Sequence, residues 1–462
     1  MARYKQLAEK FIRDIGEGKL PEGHKLPSLR SMAKQHVVSM STAVNCYQEL
    51  EAAGWIISRP KAGFFVADTP ATTELPEWRQ FESSVTEPIL NVYGPLTHAG
   101  PLGVSSTTMD KKAKMAMEQC FKRATKRLND CLAQYPDPQG ELQLRNALSQ
   151  HFHLQGFPFS SSQVVVTGGC MPAVKAAIET CTKTGDAVAI SSPCFNGLLA
   201  LLKHMGRKIV EIPSTEQGID LDQFEHHLKQ GNVKAGLFCT THMNPQGITM
   251  SVEQKKRLAG LAATYKTPVI EDDVYIELSH SNASPLPAKF YDEEGYILWC
   301  GSVSKTLSPS YRLGWCLPGR YLTAYTALFA SGSFGVSTHM QLAIADFIQS
   351  GVYQSYLKRK RIELLKNKRD YMSLLRAHLP EVTRISNPKG GLVMWIQIPG
   401  VDIDALSKEV ITAGIDIRLG TLFSGLGLYS DCFRINIGHA VDSEVESEIE
   451  KIKRVLLADI KR

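Results

Sequence analysis

Apolar residues recur at helical spacing from the first positions of the chain. Tyr4, Leu7, Ala8, Phe11, Ile12 and Ile15 fall at i, i+3, i+4, i+7, i+8 and i+11, which gives one helix face an apolar stripe. "GEGKLPEGHKLPS" then interrupts with three glycines and two prolines. A short helix is predicted over about 29–36, a tight connection through "VVSMS", and a second helix over about 42–53. Ser39 or Ser41 can cap that second helix, and Gly54 can end it. "WIISRPKAGFFVA" reads as two short strands around a Pro/Gly turn. Residues 68–88 show no period and carry three prolines, so they read as an extended linker in which Trp78 and Phe81 serve as anchors.

From about residue 89 the pattern changes to short apolar runs alternating with helical stretches. "QVVVTGG", "AVAISSP", "KAGLFCTTH", "TPVIEDD", "YILWCGS" and "LGWCLP" are continuous rather than alternating, as expected for strands buried on both faces of a parallel sheet. From about residue 353 a basic helix with "KRKR" leads into a smaller α+β segment containing "GLVMWIQIP" and "CFRINIGHA". Three divisions follow: residues 1–67, a linker over 68–88, and a body over 89–462 with a small subdomain at about 353–462. The fold class is multi-domain, a winged helix-turn-helix followed by an α/β body with a mostly parallel sheet.

Length supports this division, since 462 residues exceed one ordinary core. Hydrophobic residues make up 43% and charged residues 21%, values of a globular chain without bias to disorder. The charged start is no signal peptide, and no run of about 18 apolar residues is present to span a membrane. The ten cysteines are singletons without metal-ligand spacing, which points to reduced thiols, a cytoplasmic setting and no metal. Net charge is +6, unevenly spread: residues 1–67 hold ten basic against six acidic residues, whereas 68–90 hold one against five. A basic small module is compatible with nucleic acid.

Two helices, a tight turn and a two-stranded wing describe a module whose second helix enters a DNA groove while the wing follows phosphates. Candidate contacts are Ser28 and Arg30 in "LPSLR", Ser39, Ser41, Thr42 and Asn45 around the second helix, and Arg59 and Lys61 in the wing. This stretch resembles the GntR-type winged helix, with its L-P-S-x-R, V-S-x-x-T and L-x-x-x-G pattern. It departs from that pattern at Met40, where such domains carry an arginine that helps to read the operator.

In the body, chemistry gathers at strand ends, where ligands of parallel sheets bind. Lys305 in "GSVSK" suits a Schiff-base lysine, provided burial lowers its pKa. Asp272 in "VIEDDVY" suits a carboxylate that keeps a pyridine nitrogen protonated. Asn244 in "MNPQG" can donate to a phenolate oxygen, and "VTGGCMPAVKAAI" is a glycine turn opening a helix, suited to phosphate. Arg312 and Ser302 would complete that phosphate clamp. Phe195 can stack on a flat ring, and Arg434 is a planar fork for a carboxylate.

Together these segments resemble the fold-type I pyridoxal-phosphate proteins of the aminotransferase class I/II family. That resemblance implies pyridoxal 5'-phosphate as cofactor, on Lys305 as the aldimine lysine and catalytic residue. It implies Asp272 at the pyridinium nitrogen, Asn244 and Tyr275 at the ring oxygen, and Phe195 on the ring. Gly169, Cys170 and Met171 would form the phosphate turn with Ser302 and Arg312, and Arg434 would take an α-carboxylate. Tyr135 would reach the phosphate of a neighbouring subunit, which implies a domain-swapped homodimer with shared sites. Cys170 and Met171 depart from the family's small hydroxyl and amide residues, and Asp273 has no required role beyond a supporting or solvated acid. The whole arrangement is similar to the MocR family of transcription regulators. That similarity implies an operator- or promoter-binding regulator sensing pyridoxal phosphate, or its aldimine with an amino acid or amine effector. A working aminotransferase with an accessory DNA-binding domain is the alternative.

Overall fold

A computed structural model of the chain describes every residue except 1–2, 17–18, 22, 53–54, 60–61, 68–73, 89–99, 129–133, 282–283 and 461–462. At 16, 52, 59 and 457–460 it describes the backbone alone. The chain folds as two compact units, residues 1–74 and 75–462.

The first unit contains helices α1 (Arg3–Gly16), α2 (Leu29–Gln35) and α3 (Met40–Ala52) and an antiparallel pair, β1 (Ile56–Arg59) and β2 (Gly63–Val66). The apolar stripe of α1 places Ala8, Phe11 and Ile15 in a core with Met32, Ala43, Tyr47, Leu50 and Ile56. Tyr47 lies at its centre, edge-on to Phe64 at 4.9 Å and to Phe11 at 6.0 Å, and its hydroxyl donates to the Pro27 carbonyl at 2.9 Å. Helix α3 starts two residues before its expected start because Ser39 is its cap, its Oγ accepting from the Thr42 N–H at 3.1 Å.

The second unit is built on a large mixed sheet. Its strands are β3 (Val85–Thr86), β4 (Val165–Thr167), β5 (Ala187–Ser192), β6 (Lys208–Thr215), β7 (Gly218–Ile219), β8 (Ala235–Phe238), β9 (Val269–Asp272), β10 (Ile297–Ser302) and β11 (Gly314–Leu317). They run in the order β3-β6-β5-β8-β9-β10-β11-β4, with β7 hairpinned onto β6. The ladders from β6 to β10 are parallel, while β3, β11 and β4 pair antiparallel at the margins. All six expected strands form. Strand β6 was not expected, because Lys208, Glu211 and Pro213 break its apolar pattern. Glu211 is nonetheless buried, held by the Ser192 and Ser424 hydroxyls and the Gly425 N–H.

A smaller antiparallel sheet follows: β12 (Arg384–Ile385), β13 (Val393–Gln397), β14 (Arg418–Leu419) and β15 (Cys432–Asn436), in the order β12-β13-β15-β14. A helix of 27 residues, Val352–His378, precedes it. Leu102 is buried in the core of this sheet, so the small subdomain draws on residues far upstream of 353. The later part of the expected linker is extended but not free. Residues 75–86 lie on the body: Trp78 packs beside Trp395, Phe423 and Tyr429, and Val85–Thr86 pairs with β6.

Candidate functional site

The carboxyl ends of the parallel strands carry the chemistry. Asp272 closes β9 and Ser302 closes β10, with Lys305 three residues beyond in a turn. Asn244 follows β8, Phe195 follows β5, and Gly169 caps the helix Cys170–Cys181 after β4. Arg434 projects from β15 of the small sheet, in register with Trp395 on one side and Arg418 on the other.

Three of these side chains, Lys305, Asn244 and Arg434, join Tyr275 in one buried polar circuit. Arg434 Nη1 donates to Asn244 Oδ1 at 3.1 Å, and Asn244 Nδ2 lies 3.5 Å from the Tyr275 hydroxyl. That hydroxyl meets Ser105 Oγ at 2.9 Å, while Lys305 Nζ donates to the Ser105 carbonyl at 2.6 Å. Arg434 Nη2 donates to the Gly103 carbonyl, closing the circuit through the same segment. Among the described residues Arg434 Nε is buried with no hydrogen-bond partner, a donor left for something else.

Electrostatics follow from burial. Desolvation and the neighbouring Arg434 push the Lys305 amine down to about 8, with Asp272 and Cys170 pulling the other way. Desolvation likewise raises the Asp272 carboxyl, offset by a hydrogen bond from Cys170 Sγ at 3.2 Å, by Lys305 and by the Val274 N–H. Arg434 falls to about 10, again mainly through burial. Burial also raises the Tyr275 hydroxyl to about 12, so it stays a neutral donor near neutral pH.

A second group of residues surrounds the start of helix Cys170–Cys181. Gly169 has φ +117°, and a Cβ there would stand 3.0 Å from Arg312 Nη2. Arg312 is exposed and itself sits at φ +46°, a left-handed conformation that costs a non-glycine residue about 1–3 kcal/mol. Its guanidinium has no side-chain partner among the described residues, and it lies against a helix N-terminus whose first N–H groups are free of helical bonds. Ser302 turns inward: Oγ donates to the Leu313 carbonyl at 2.9 Å and accepts from the Ser304 N–H at 3.0 Å, bracing the Lys305 turn. Phe195 packs on the cluster containing Cys170 and Met171, over Gly197, where a Cβ would come within 2.5 Å of its ring.

Other expected residues lie apart. Tyr135 is 87% exposed, with Phe334 as a ring neighbour at 6.2 Å, and among the described residues it is not part of the Lys305 circuit within one chain. Of the two roles expected for Asp273, the solvated one is corrected: it is 1% exposed and accepts from Trp299 Nε1 at 2.9 Å, a buried acid next to Asp272. In the DNA module Arg30, Ser41 and Asn45 are exposed and Thr42 is half-buried. Ser28 and Ser39 spend their side chains on capping α2 and α3. The Arg59 side chain and the whole of Lys61 lie outside the described residues.

Sequence reasoning missed Gly103 and Ser105, which act mainly through backbone carbonyls. It also missed the buried brace behind Lys305. Tyr356 donates to the Thr306 carbonyl at 2.6 Å, and Tyr353 bridges Thr306 Oγ1 and Glu277, which His151 meets at 2.5 Å.

Comparison with known proteins identifies both units. Residues 101–452 match the family described as aminotransferase class I and II, and residues 3–66 match the bacterial regulatory proteins of the gntR family. The chain is 30% identical to the HTH-type transcriptional regulator YdcR of Escherichia coli (strain K12), with 99% of each covered. The chain belongs to the MocR-type transcriptional regulators. The regulator is thus a gntR-type DNA-binding module fused to an aminotransferase-like body. It is also 26% identical to aromatic-amino-acid aminotransferase 1 of Thermococcus litoralis, over 71% of this chain and 81% of that one. The α-aminoadipate aminotransferase LysN from Thermus thermophilus, solved with N-(5'-phosphopyridoxyl)-L-leucine, superposes with a TM-score of 0.71. It shares 20% identity and covers 78% of this chain and 92% of its own, a likeness of fold. Among the described residues no helix is long and apolar enough to cross a membrane.

Proposed function

We propose that the body of this regulator holds pyridoxal 5'-phosphate at Lys305 and reads an amino acid or amine beside it. Occupancy then sets how a homodimer's paired modules grip operator or promoter DNA in the cytoplasm. The buried circuit of Lys305, Tyr275, Asn244 and Arg434, with Arg434 Nε left unpaired, carries this reading.

The residues present fit the cofactor. When bound, pyridoxal phosphate supplies an aldehyde carbon and a protonatable ring that withdraws electrons. Lys305 offers an amine held near neutrality by burial, the form that attacks a carbonyl. Asp272 is a buried carboxylate whose side-chain donor is one weak thiol, so a cationic ring nitrogen would stabilise its charge. Gly169 leaves the N–H groups of Cys170 and Met171 and the Arg312 fork open to a phosphate, with Ser302 fixing the turn below. Asn244 and Tyr275 suit the ring oxygen and Phe195 the ring face. The effector's carboxylate falls to Arg434. Exposed Tyr135 is free to serve the site of a partner subunit, as in a domain-swapped homodimer.

The test is a mobility-shift titration of DNA from upstream of the regulator's own gene, with and without pyridoxal phosphate and a panel of amines. Wild-type affinity is expected to change with cofactor and at least one amine, and Lys305→Ala to lose that response while still binding DNA. A response that survives Lys305→Ala would overturn the reading.

A second reading, slow transamination, is favoured by Lys305 itself, since an amine near neutrality can accept and return a proton. Amino acids are then expected to convert the bound aldehyde form to the amine form over hours. No conversion by any of them would leave sensing as the sole role.

A further inference from the structure

Two stretches lead the chain from the module into the body, and both are seated on the surroundings of Arg434. In the first, residues 75–86, Trp78 packs on Trp395, Phe423 and Tyr429. The Glu77 N–H donates to Gln397 Oε1 at 2.9 Å and its carboxylate pairs with Arg384. Arg79 pairs with Asp431 at 3.1 Å. A few residues later the same stretch binds the large sheet's side: the Ser83 N–H and Oγ both reach Gln223 Oε1, at 2.8 and 2.7 Å, and Val85–Thr86 joins β6. This arm therefore bridges the two subdomains.

The second stretch, residues 100–107, covers the site. Leu102 is buried under the small sheet, Gly103 gives its carbonyl to Arg434, and Ser105 gives its carbonyl to Lys305. Gly103 is wedged, because a Cβ there would run into the Asp416 carboxylate. Arg434 joins the two stretches. Its guanidinium holds the Gly103 carbonyl and stands 5.5 Å from the centre of the Phe423 ring. Phe423 meets Trp395 edge-on at 5.5 Å, and these two rings form the seat of Trp78.

A carboxylate binds a guanidinium more strongly than a neutral carbonyl does. A ligand carboxylate that takes Arg434 Nε and Nη2 together competes with the Gly103 carbonyl for Nη2. We propose that the arm over residues 75–86 couples the two units. An α-amino carboxylate at Arg434 frees Gly103, shifts the Phe423–Trp395 seat and moves Trp78, from which the chain runs back to the DNA-binding module. The proposal rests on Arg434 as the carboxylate reader, and it supplies the difference between two arrangements that ligand-controlled binding requires.

The experiment uses the full chain in its cofactor-free form. It is loaded either with N-(5'-phosphopyridoxyl)-L-leucine or with pyridoxamine phosphate, which has the same ring without the carboxylate. Ligand binding is read from the chromophore and DNA affinity from titration of the upstream fragment. In wild type the two loads are expected to differ in DNA affinity by at least about five-fold. Trp78→Leu should bind both ligands as wild type does, yet lose that difference. Arg79→Gln, which keeps the Trp78 packing, should reduce it. A wild-type difference retained in both variants overturns the coupling role. If wild type binds both ligands but shows no difference, the coupling also falls and the cofactor reading stands. If neither ligand binds, the reading beneath it falls as well.

Discussion

Lys305 must be neutral to attack an aldehyde, so the rate of pyridoxal-phosphate uptake should rise with pH. With the amine pushed down to about 8, half-maximal uptake is expected near pH 8, against 10.5 for an ordinary lysine. Arg434→Gln removes the positive charge that adds to burial in depressing it and should move that midpoint upward; an unmoved midpoint would dissociate the two residues. Gly169→Ala places a Cβ at φ +117° beside Arg312, and a turn that relaxes to relieve this strain of about 1–3 kcal/mol loses the cradle shape, so cofactor affinity is expected to fall about five-fold or more, read by equilibrium titration. Lys305 and Asp272 were legible because charged groups at or just past the ends of apolar strands have few structural reasons to be there, and Arg434 because it is a charge in the middle of a buried strand. Gly103 and Ser105 were not, since every residue carries a carbonyl and only the fold decides where it points. Cys170 was read as a departure from the family's residues at the phosphate turn, and what its thiol does instead, reaching Asp272, was not legible.

At the scale of elements, α3 depends on its cap. Ser39→Ala should destabilise the module by about 1 kcal/mol, measured as a lower melting temperature. Its effect on DNA binding should track that loss of folding. Arg30 is exposed, so Arg30→Ala should instead weaken binding to all sequences and reduce the salt dependence by about one phosphate contact. Unchanged salt dependence would remove Arg30 from the interface. The module's helices and the six expected strands were legible from period and continuity. The reversed direction of β11 was not, because a buried apolar strand reads alike in parallel and antiparallel ladders. Residues 75–86 read as linker because an arm held by backbone N–H groups, ion pairs and one tryptophan has no period to show.

For the whole molecule, the proposed sharing of sites requires two chains. Tyr135 is exposed in one chain, and its assignment to a partner's phosphate predicts dimers in sedimentation and weaker cofactor binding in Tyr135→Phe. A monomer that binds the cofactor fully would refute that sharing. The change of pattern near residue 89 lies inside the second unit, which begins at Leu75, and the partition of the small subdomain was not legible, because Leu102 joins it from a distance in sequence. The central claim is that one amine, Lys305, holds pyridoxal phosphate in a gntR-type regulator. Borohydride reduction of the cofactor-loaded chain, followed by peptide mapping, tests it most directly. The account predicts a phosphopyridoxyl group on Lys305 and none in Lys305→Ala; no adduct, or one on another lysine, would contradict it.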